Sequence, residues 1–520
     1  MNSPDLSRET GFRLRFWGWF IPLVSFAALM PWRLDRPGLR ISEIDVVYPM
    51  MKWLSGFDHW PMALLRYHGP NETYATLPFL FLFGNTPVAV RLGPLLAAFA
   101  LLYVVHRLTL RLSENEGTAF LASYFLALSP SFLIGARFGY YTRVTQMLLG
   151  FVALTLFIRW IKDCRPRNFY LASLFLGLAA GCHIAFLWFV NMLVVTLFVT
   201  RQYPRLLPLK RLFIGGLIFI ATGFGPLIYE NIRNENLSTI KTLAGYLVVS
   251  KNGIHNADYP ANLRVRGEQV LSLAEGSLFT FKQPSSQNRS FLWLGLALGA
   301  FLAIPFLYRK DKKRFSGAML AWFMSAGILI QSPVTISSLS PDKLFILLPF
   351  LSMGMAYLVS DLLRRFVHPL SRSLFIGIIV CAFFFGESFR LLHSYGEYLE
   401  ELPGTYQYGM ADYIRTQGVT KVYMVQDRVL QRPIDTILNS FLIGPIRSEL
   451  IYPEQIEEKA IFGGDKRFVL IFLHPQREKS QYLTKEMLNS GKYGKWSVTE
   501  RDYYDSSGRQ INHVLVLKRL

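Results

Sequence analysis

The chain has 520 residues, 52% of them hydrophobic and only 17% charged, and its mean hydropathy is +0.28. That is more apolar surface than one water-soluble core can bury, which excludes a soluble enzyme and leaves lipid around much of the chain. The formal charge of +20 does not mark a nucleic-acid binder, because the Lys and Arg residues form no basic face or domain but punctuate the apolar runs.

A bilayer core takes about 20 apolar residues per helix. Runs near that length fall at about Phe16–Trp32, Val88–Leu110, Thr118–Ile134, Val144–Ile161, Phe169–Cys182, Ile184–Val199, Leu212–Ile232, Phe291–Tyr308, Ala318–Gln331, Leu344–Leu362 and Leu374–Phe389, eleven expected crossings. Basic clusters alternate with them: Arg107 and Arg111, Arg159 to Arg167, Arg201 to Arg211, Arg309 to Arg314, and Arg364, Arg365 and Arg372. By the positive-inside rule these are cytoplasmic loops, and Arg8, Arg13 and Arg15 put the N-terminus on the same side. The first span reads as uncleaved, since no small-residue cleavage site follows it. The run Phe169–Val199 is too long for one ordinary helix, and two short spans meeting near His183 keep Arg201 to Arg211 inside. After eleven crossings the C-terminus lies outside.

The expected fold class is therefore an α-helical polytopic membrane protein of about eleven transmembrane helices with a small C-terminal extracytoplasmic α/β domain. The membrane domain occupies 1–389, with outer loops at 33–87 and 233–290, and the soluble domain occupies 390–520. In the first loop Val46–Leu54 and Thr76–Phe83 are apolar but too short to cross, so they are expected to lie at the membrane surface. The tail shows apolar alternation at Lys421–Gln426 and Phe468–Leu473, helical patterns at Pro433–Leu442 and Gln481–Ser490, and a closing strand at His513–Leu517.

Cys164, Cys182 and Cys381 lie in or beside the spans, so no disulfide framework is available. The sequence has no Cys/His cluster with metal spacing, no P-loop and no glycine-rich dinucleotide fingerprint, and it supports neither a divalent metal nor another cofactor. Chemistry is expected instead in the first outer loop, where Ile41-Ser-Glu-Ile-Asp-Val-Val-Tyr48 carries Glu43 and Asp45. A carboxylate at the membrane–water boundary can act as a general base on an acceptor hydroxyl or amine. The plainer reading is that both acids solvate a loop.

The pair is followed by Leu54-Ser-Gly56, Tyr67-His-Gly-Pro70, Leu82-Phe-Gly84 and Val90-Arg-Leu-Gly-Pro94. Further along come Leu128-Ser-Pro130 with Arg137, Gly177-Leu-Ala179 and Leu347-Leu-Pro-Phe-Leu351. This succession, over roughly the first 360 residues, resembles the GT-C membrane glycosyltransferases. Within them it is most similar to the branch of dolichyl-phosphate-mannose protein mannosyltransferases and bacterial lipid A aminoarabinose transferases. The resemblance implies a hexosyl- or pentosyltransferase of the cell envelope, in the cell or inner membrane. It implies transfer of a sugar from a polyprenyl- or dolichyl-phosphate donor to a protein, lipid or glycan acceptor on the outer face. Counted back from Gly56, the family's Asp-Glu pair falls on Ser42-Glu43, so Asp45 is the first candidate for the base and Glu43 the second.

The resemblance also implies fixed cations for the leaving phosphate. Arg137 and Arg143 flank Phe138-Gly-Tyr-Tyr-Thr142 in an outer loop, against the positive-inside trend, and Lys343 precedes the tenth span. The structural alternative for the two arginines is snorkelling to lipid headgroups. His183 stands where relatives carry a Lys; it is placed either to bond a phosphate or to cap a short helix. His68 is a candidate for orienting donor or acceptor, with a turn-stabilising role before Gly69-Pro70 as its alternative, and Tyr48 completes the substrate-binding set. The second acid that relatives carry after the third-span Arg is missing, with Thr142, Thr145 and Gln146 in the neighbourhood. The competing function is a polytopic transporter, or a flippase or ligase for lipid-linked glycans. Against transport, no paired broken-helix repeat is visible between halves.

Overall fold

The computed structural model describes residues 6–30, 69–84, 86–137, 143–199, 208–233, 258–277, 290–334, 341–368, 374–386, 405–419, 421–425, 446–451, 467–473, 495–504 and 510–520. With them come Leu34, Glu43, Val47, Met50, Trp53, Leu339, Ser371 and Arg372. The expected helices Pro433–Leu442 and Gln481–Ser490 fall outside the described residues, as does most of Val46–Leu54. The chain divides into two units by its internal packing. One comprises Met1–Trp32, Pro61–Pro78 and Arg91–Ser394, the other Arg33–Trp60, Phe79–Val90 and Tyr395–Leu520.

The helical elements run in chain order as α1 (Leu6–Leu29), α2 (Asn71–Phe83), α3 (Pro87–Ser113), α4 (Glu116–Leu128), α5 (Pro130–Arg137), α6 (Val144–Asp163), α7 (Pro166–Ala180) and α8 (Leu187–Val199). There follow α9 (Leu209–Gly223), α10 (Gly225–Arg233), α11 (Tyr259–Ala274), α12 (Phe291–Lys310), α13 (Ser316–Gln331) and α14 (Leu348–Phe366), then α15 (Leu374–Gly386). Short 3-10 helices at Ile184–Phe186 and Pro341–Leu347 lead into α8 and α14. A helix, straight or bent, thus occupies each of the eleven stretches expected to cross. Among the described residues four are by themselves long and apolar enough to span a membrane: α3, α6, α12 and the run Pro341–Phe366. The bent pairs α4/α5 and α9/α10 bring the number to six, and α1, α8, α13 and α15 contain shorter apolar stretches. Phe213, Leu217 and Ile220 on α9 and Phe291, Leu302 and Phe306 on α12 are exposed, as lipid-facing side chains must be.

Local sequence explains the breaks. The 60° bend between α4 and α5 falls at Ser129-Pro130, where the proline can begin a helix but not continue one. The α7 helix stops at Ala180, and His183 adopts an extended conformation and caps the next 3-10 helix. Against α7, helix α9 approaches closely: a Cβ at Gly177 would overlap Thr222 and the backbone at Phe219, and one at Gly215 would overlap the ring of Phe169. Small residues at such crossings let backbones approach where lipid supplies no hydrophobic drive. The Gly177-Leu-Ala179 sequence is thereby accounted for as helix packing.

In the second unit, α16 (Thr405–Thr416) covers a five-stranded sheet of β1 (Lys421–Val425), β2 (Arg447–Ile451), β3 (Arg467–Leu473), β4 (Trp496–Tyr504) and β5 (Gln510–Arg519). The strand order is β2-β1-β3-β5-β4; β1 is parallel to β2 and β3, and β5 is antiparallel to β3 and β4. Its core interleaves Met410 and Ile414 of the helix with Val422, Met424, Val469, Ile471, Val514 and Val516, the period-4 and period-2 spacings of a helix packed on a sheet. Strands β2 and β4 and helix α16 go beyond what the sequence pattern indicates. Both strands lie at sheet edges, and polar residues fill much of β4, so neither reads as an apolar strand.

Replacing Gly177 by Leu is expected to force α7 and α9 apart and to lower the thermal midpoint of the detergent-solubilised protein by several degrees, while Gly216→Leu, which meets open space, leaves it within about one degree.

Candidate functional site

Helix α2 opens with Asn71, whose Nδ2 donates to the Leu178 carbonyl at 2.9 Å. Gly69 sits so close to Gly181 that any Cβ would overlap its carbonyl. These contacts pin the first turn of α2 against the C-terminal end of α7. There Gln146, in the first turn of α6, donates to the carbonyls of Ala179 (2.8 Å) and His183 (2.9 Å). His183 Nδ1 accepts from the Ala185 amide at 2.9 Å, which caps the 3-10 helix and puts the ring proton on Nε2.

Arg143 precedes α6 in a left-handed backbone conformation, φ 54°, with no side-chain cap. A non-glycine residue holds that conformation where its surroundings fix it. Here the side chain is fixed too: Nη2 lies 3.1 Å from Asp342 Oδ2, and both groups are buried. Arg143 is therefore no snorkelling headgroup contact. Asp342 belongs to the 3-10 helix leading into α14, and Lys343 beside it is buried and within electrostatic range of Asp342, Arg143 and Arg266.

Arg266 comes from α11, the helix in the 233–290 loop. Its guanidinium is fully buried, donates to Ser332 O (3.2 Å) and Gln269 Oε1 (2.8 Å), and lies over the Trp188 ring. Burial pulls it down to about 10, against the opposing pull of Asp342. The same helix holds the strand of chain before Asp342: Gln269 Nε2 donates to Leu339 O at 2.6 Å and Tyr259 OH to Ile330 O at 2.7 Å. At its end Gly276 packs on Pro130, and Ser131 Oγ donates to Leu273 O at 2.8 Å, which ties in α5. Arg137 closes α5, buried, with Nη1 3.5 Å from Met30 O.

Among the residues that sequence reasoning passed over is Glu72. It is 1% exposed, and neither carboxyl oxygen has a hydrogen-bond partner among the described residues. Helix α2 is too short to span, so Glu72 lies outside the spanning segments. Burial raises its carboxyl to about 8, partly offset by Arg143, while Asp342 adds to the rise. A buried polar group without a partner costs about 1–3 kcal/mol. The nearest sequence signal is an acid in the first turn of an otherwise apolar helix.

The structure thus brings together Arg143, Lys343 and His183, with Glu72, Gln146, Asp342 and Arg266 added. Glu43 belongs to the second unit; it is helical and buried and shares an i, i+4, i+7 face with buried Val47 and Met50. Asp45, Tyr48 and His68 lie outside the described residues. Among the described residues no three His, Cys, Asp or Glu side chains gather as a metal site.

No family profile matches the sequence, and no curated protein matches it. Solved structures do. The structure of ArnT from Cupriavidus metallidurans bound to undecaprenyl phosphate superposes with a TM-score of 0.61 over 99% of this chain and 98% of that one, at 11% identity. The apo ArnT structure gives 0.54 over 96% and 98%, at 14% identity. The chain has the fold of these ArnT structures. It is accordingly a polytopic membrane protein, and a likeness spanning both units, at such low identity, carries architecture and not residue roles.

Two outcomes follow from the site. Asp342→Asn removes one charge paired with a buried arginine and is expected to destabilise the protein by about 3 kcal/mol in chemical or thermal unfolding, more than loss of an exposed pair such as Arg264–Glu268. For Glu72 the folded pKa is raised, from 4.5 to about 8. Its contribution is therefore most favourable below pH 4.5 and is lost as pH rises toward 8. The thermal midpoint of Glu72→Gln relative to wild type should rise between pH 5 and pH 9, and a pH-independent difference would count against the burial of this carboxyl.

Proposed function

We propose that the chain is a membrane glycosyltransferase that moves a sugar from a polyprenyl-phosphate donor to an acceptor on the extracytoplasmic face. The observation that carries this reading is the buried convergence of Arg143, Lys343 and Arg266 around Asp342. It occurs in a chain with the fold of a protein whose structure holds undecaprenyl phosphate. Cations fixed before reaction stabilise charge on a leaving phosphate without reorganising at the moment it departs. In the proposed step an acceptor O–H or N–H attacks the anomeric carbon, the carbon–oxygen bond to phosphate breaks, and polyprenyl phosphate leaves with the bonding pair. The acceptor proton passes to a first-loop carboxylate, Asp45 first and Glu43 second. Arg137, His68, His183 and Tyr48 are assigned to substrate binding on the same reading, with His183 also capping the 3-10 helix through Nδ1.

Orientation follows from charge. The cluster stands at the ends of α5 to α7 that open onto Arg143 and His183. Basic residues Arg111, Lys162, Arg309, Lys310, Arg364 and Arg365 close α3, α6, α12 and α14 at their other ends. The positive-inside rule makes that second face cytoplasmic, with the N-terminus inside and the domain 390–520 outside.

The test is transfer of radiolabelled sugar from a panel of polyprenyl-phosphate sugars in proteoliposomes. Asp45→Asn is expected to lower kcat about 100-fold, and Lys343→Met to raise the KM for donor. Transfer retained by the Asp45→Asn/Glu43→Gln double variant would remove the base assignment. Alkaline phosphatase fused after Leu520 is expected to be active in cells, and silence of that fusion would reverse the topology.

A further inference from the structure

We infer that Glu72 is a sugar-recognition group, exchanging hydrogen bonds with a hydroxyl of the transferred sugar beside the cations that receive the donor phosphate. The inference rests on the glycosyltransferase reading and adds to it a specificity residue and the kind of group it meets.

The geometry is that of a prepared contact. Asn71 anchors the first turn of α2 to Leu178, and Gly69 is locked against Gly181, so the carboxyl is carried on rigid elements. Both its oxygens are buried, and no described side chain or backbone group bonds them. Among the described residues, the ionisable groups in electrostatic range are Arg143 just before α6, Asp342 on the 3-10 helix and Cys182 just after α7. Arg143 Nη2 donates to Asp342 Oδ2 at 3.1 Å.

Chemistry narrows what such a carboxyl can receive. A phosphate would be repelled by the ionised form. A polyprenyl chain would leave both oxygens unsatisfied. A hydroxyl both donates and accepts, so it satisfies the carboxyl whether protonated or not. In the proposed donor the group bonded directly to the phosphate is the sugar, which puts its hydroxyls within reach of a carboxyl adjoining the phosphate cations. A site built to bond a hydroxyl rejects an analogue lacking it, because the buried polar group is then left unpaired.

The experiment uses the full-length protein in proteoliposomes with polyprenyl-phosphate mannose, glucose and arabinose and the matching monodeoxy sugars. With the best donor, Glu72→Ala is expected to lower kcat/KM at least about 10-fold. With one particular monodeoxy donor, Glu72→Ala and wild type should fall within about 2-fold of each other, since the contact is already absent. Glu72→Gln should retain most of the activity. An equal loss with every donor assigns Glu72 a structural role and overturns the inference, as does no loss at all. If wild type transfers none of the sugars, the transferase reading fails on its own, and native mass spectrometry then decides. Tighter binding of a sugar-bearing lipid than of undecaprenyl phosphate, with the preference lost in Glu72→Ala, keeps the sugar contact. Equal binding of both lipids, or a preference that survives the substitution, overturns it.

Discussion

The ion pair between Arg143 and Asp342 is the contact on which this end of the bundle depends. It joins the first residue before α6 to the 3-10 helix that starts α14, two elements 199 positions apart in sequence, and both partners are almost wholly removed from solvent. Taking two such charges out of water is costly, and their attraction repays it only when geometry and further hydrogen bonds are good. The pair is therefore poor evidence for stability. It is good evidence for position, because losing either charge leaves the other buried with one ion pair fewer. The left-handed backbone at Arg143 fits this account: the ion pair holds a conformation that local preference disfavours.

The same end of the bundle is where the helices stop, bend or change pitch, and lipid makes that expensive. With no water to bond exposed backbone groups, irregular chain at membrane depth survives only where protein covers it. Several of the breaks have a polar side chain assigned to them. Asn71 serves the carbonyl of Leu178, Gln146 those of Ala179 and His183, Arg266 that of Ser332 and Gln269 that of Leu339. The polar residues in these otherwise apolar elements thus do two jobs. They satisfy helix ends, and in doing so they hold α2, α7, α11 and the approach to α14 in the one arrangement that gathers the charged groups.

That division of labour explains what the sequence makes readable. The spans are legible because a 20-residue apolar run between basic clusters has few other meanings. The break at His183 is legible from length and charge, and Ser129-Pro130 marks its own bend. Arg143 and Lys343 stand out because they are cations on the face where cations are scarce. Glu72 does not stand out, since an acid within Asn71-Glu-Thr-Tyr74 reads as a solvated loop; only the packing of α2 against α7 reveals that it is buried. Asp342 is hidden likewise, as its partner is remote in sequence. The edge strands β2 and β4 escape notice because an edge strand need not be apolar on both faces, and its pairing is set by neighbours elsewhere in the chain.

The two ends of the bundle treat their acids differently, and the difference bears on function. At the far end Asp361 is buried between Arg314, at 2.9 Å, and Arg365, at 2.7 Å, but both arginines reach partly into solvent. Water and counterions can screen that cluster, and it ties α14 to the segment before α13 without storing a field. Around Asp342 the cations Arg143, Lys343 and Arg266 are themselves buried, so their field is weakly screened and acts at short range. On the proposed transferase reading, the second cluster is arranged for a ligand that brings its own negative charge. On that reading, a neutral or hydroxyl-paired Glu72 beside them lets that field point at an incoming anion instead of being spent on a neighbouring carboxylate, which links the lack of a partner for Glu72 among the described residues to the gathering of the cations.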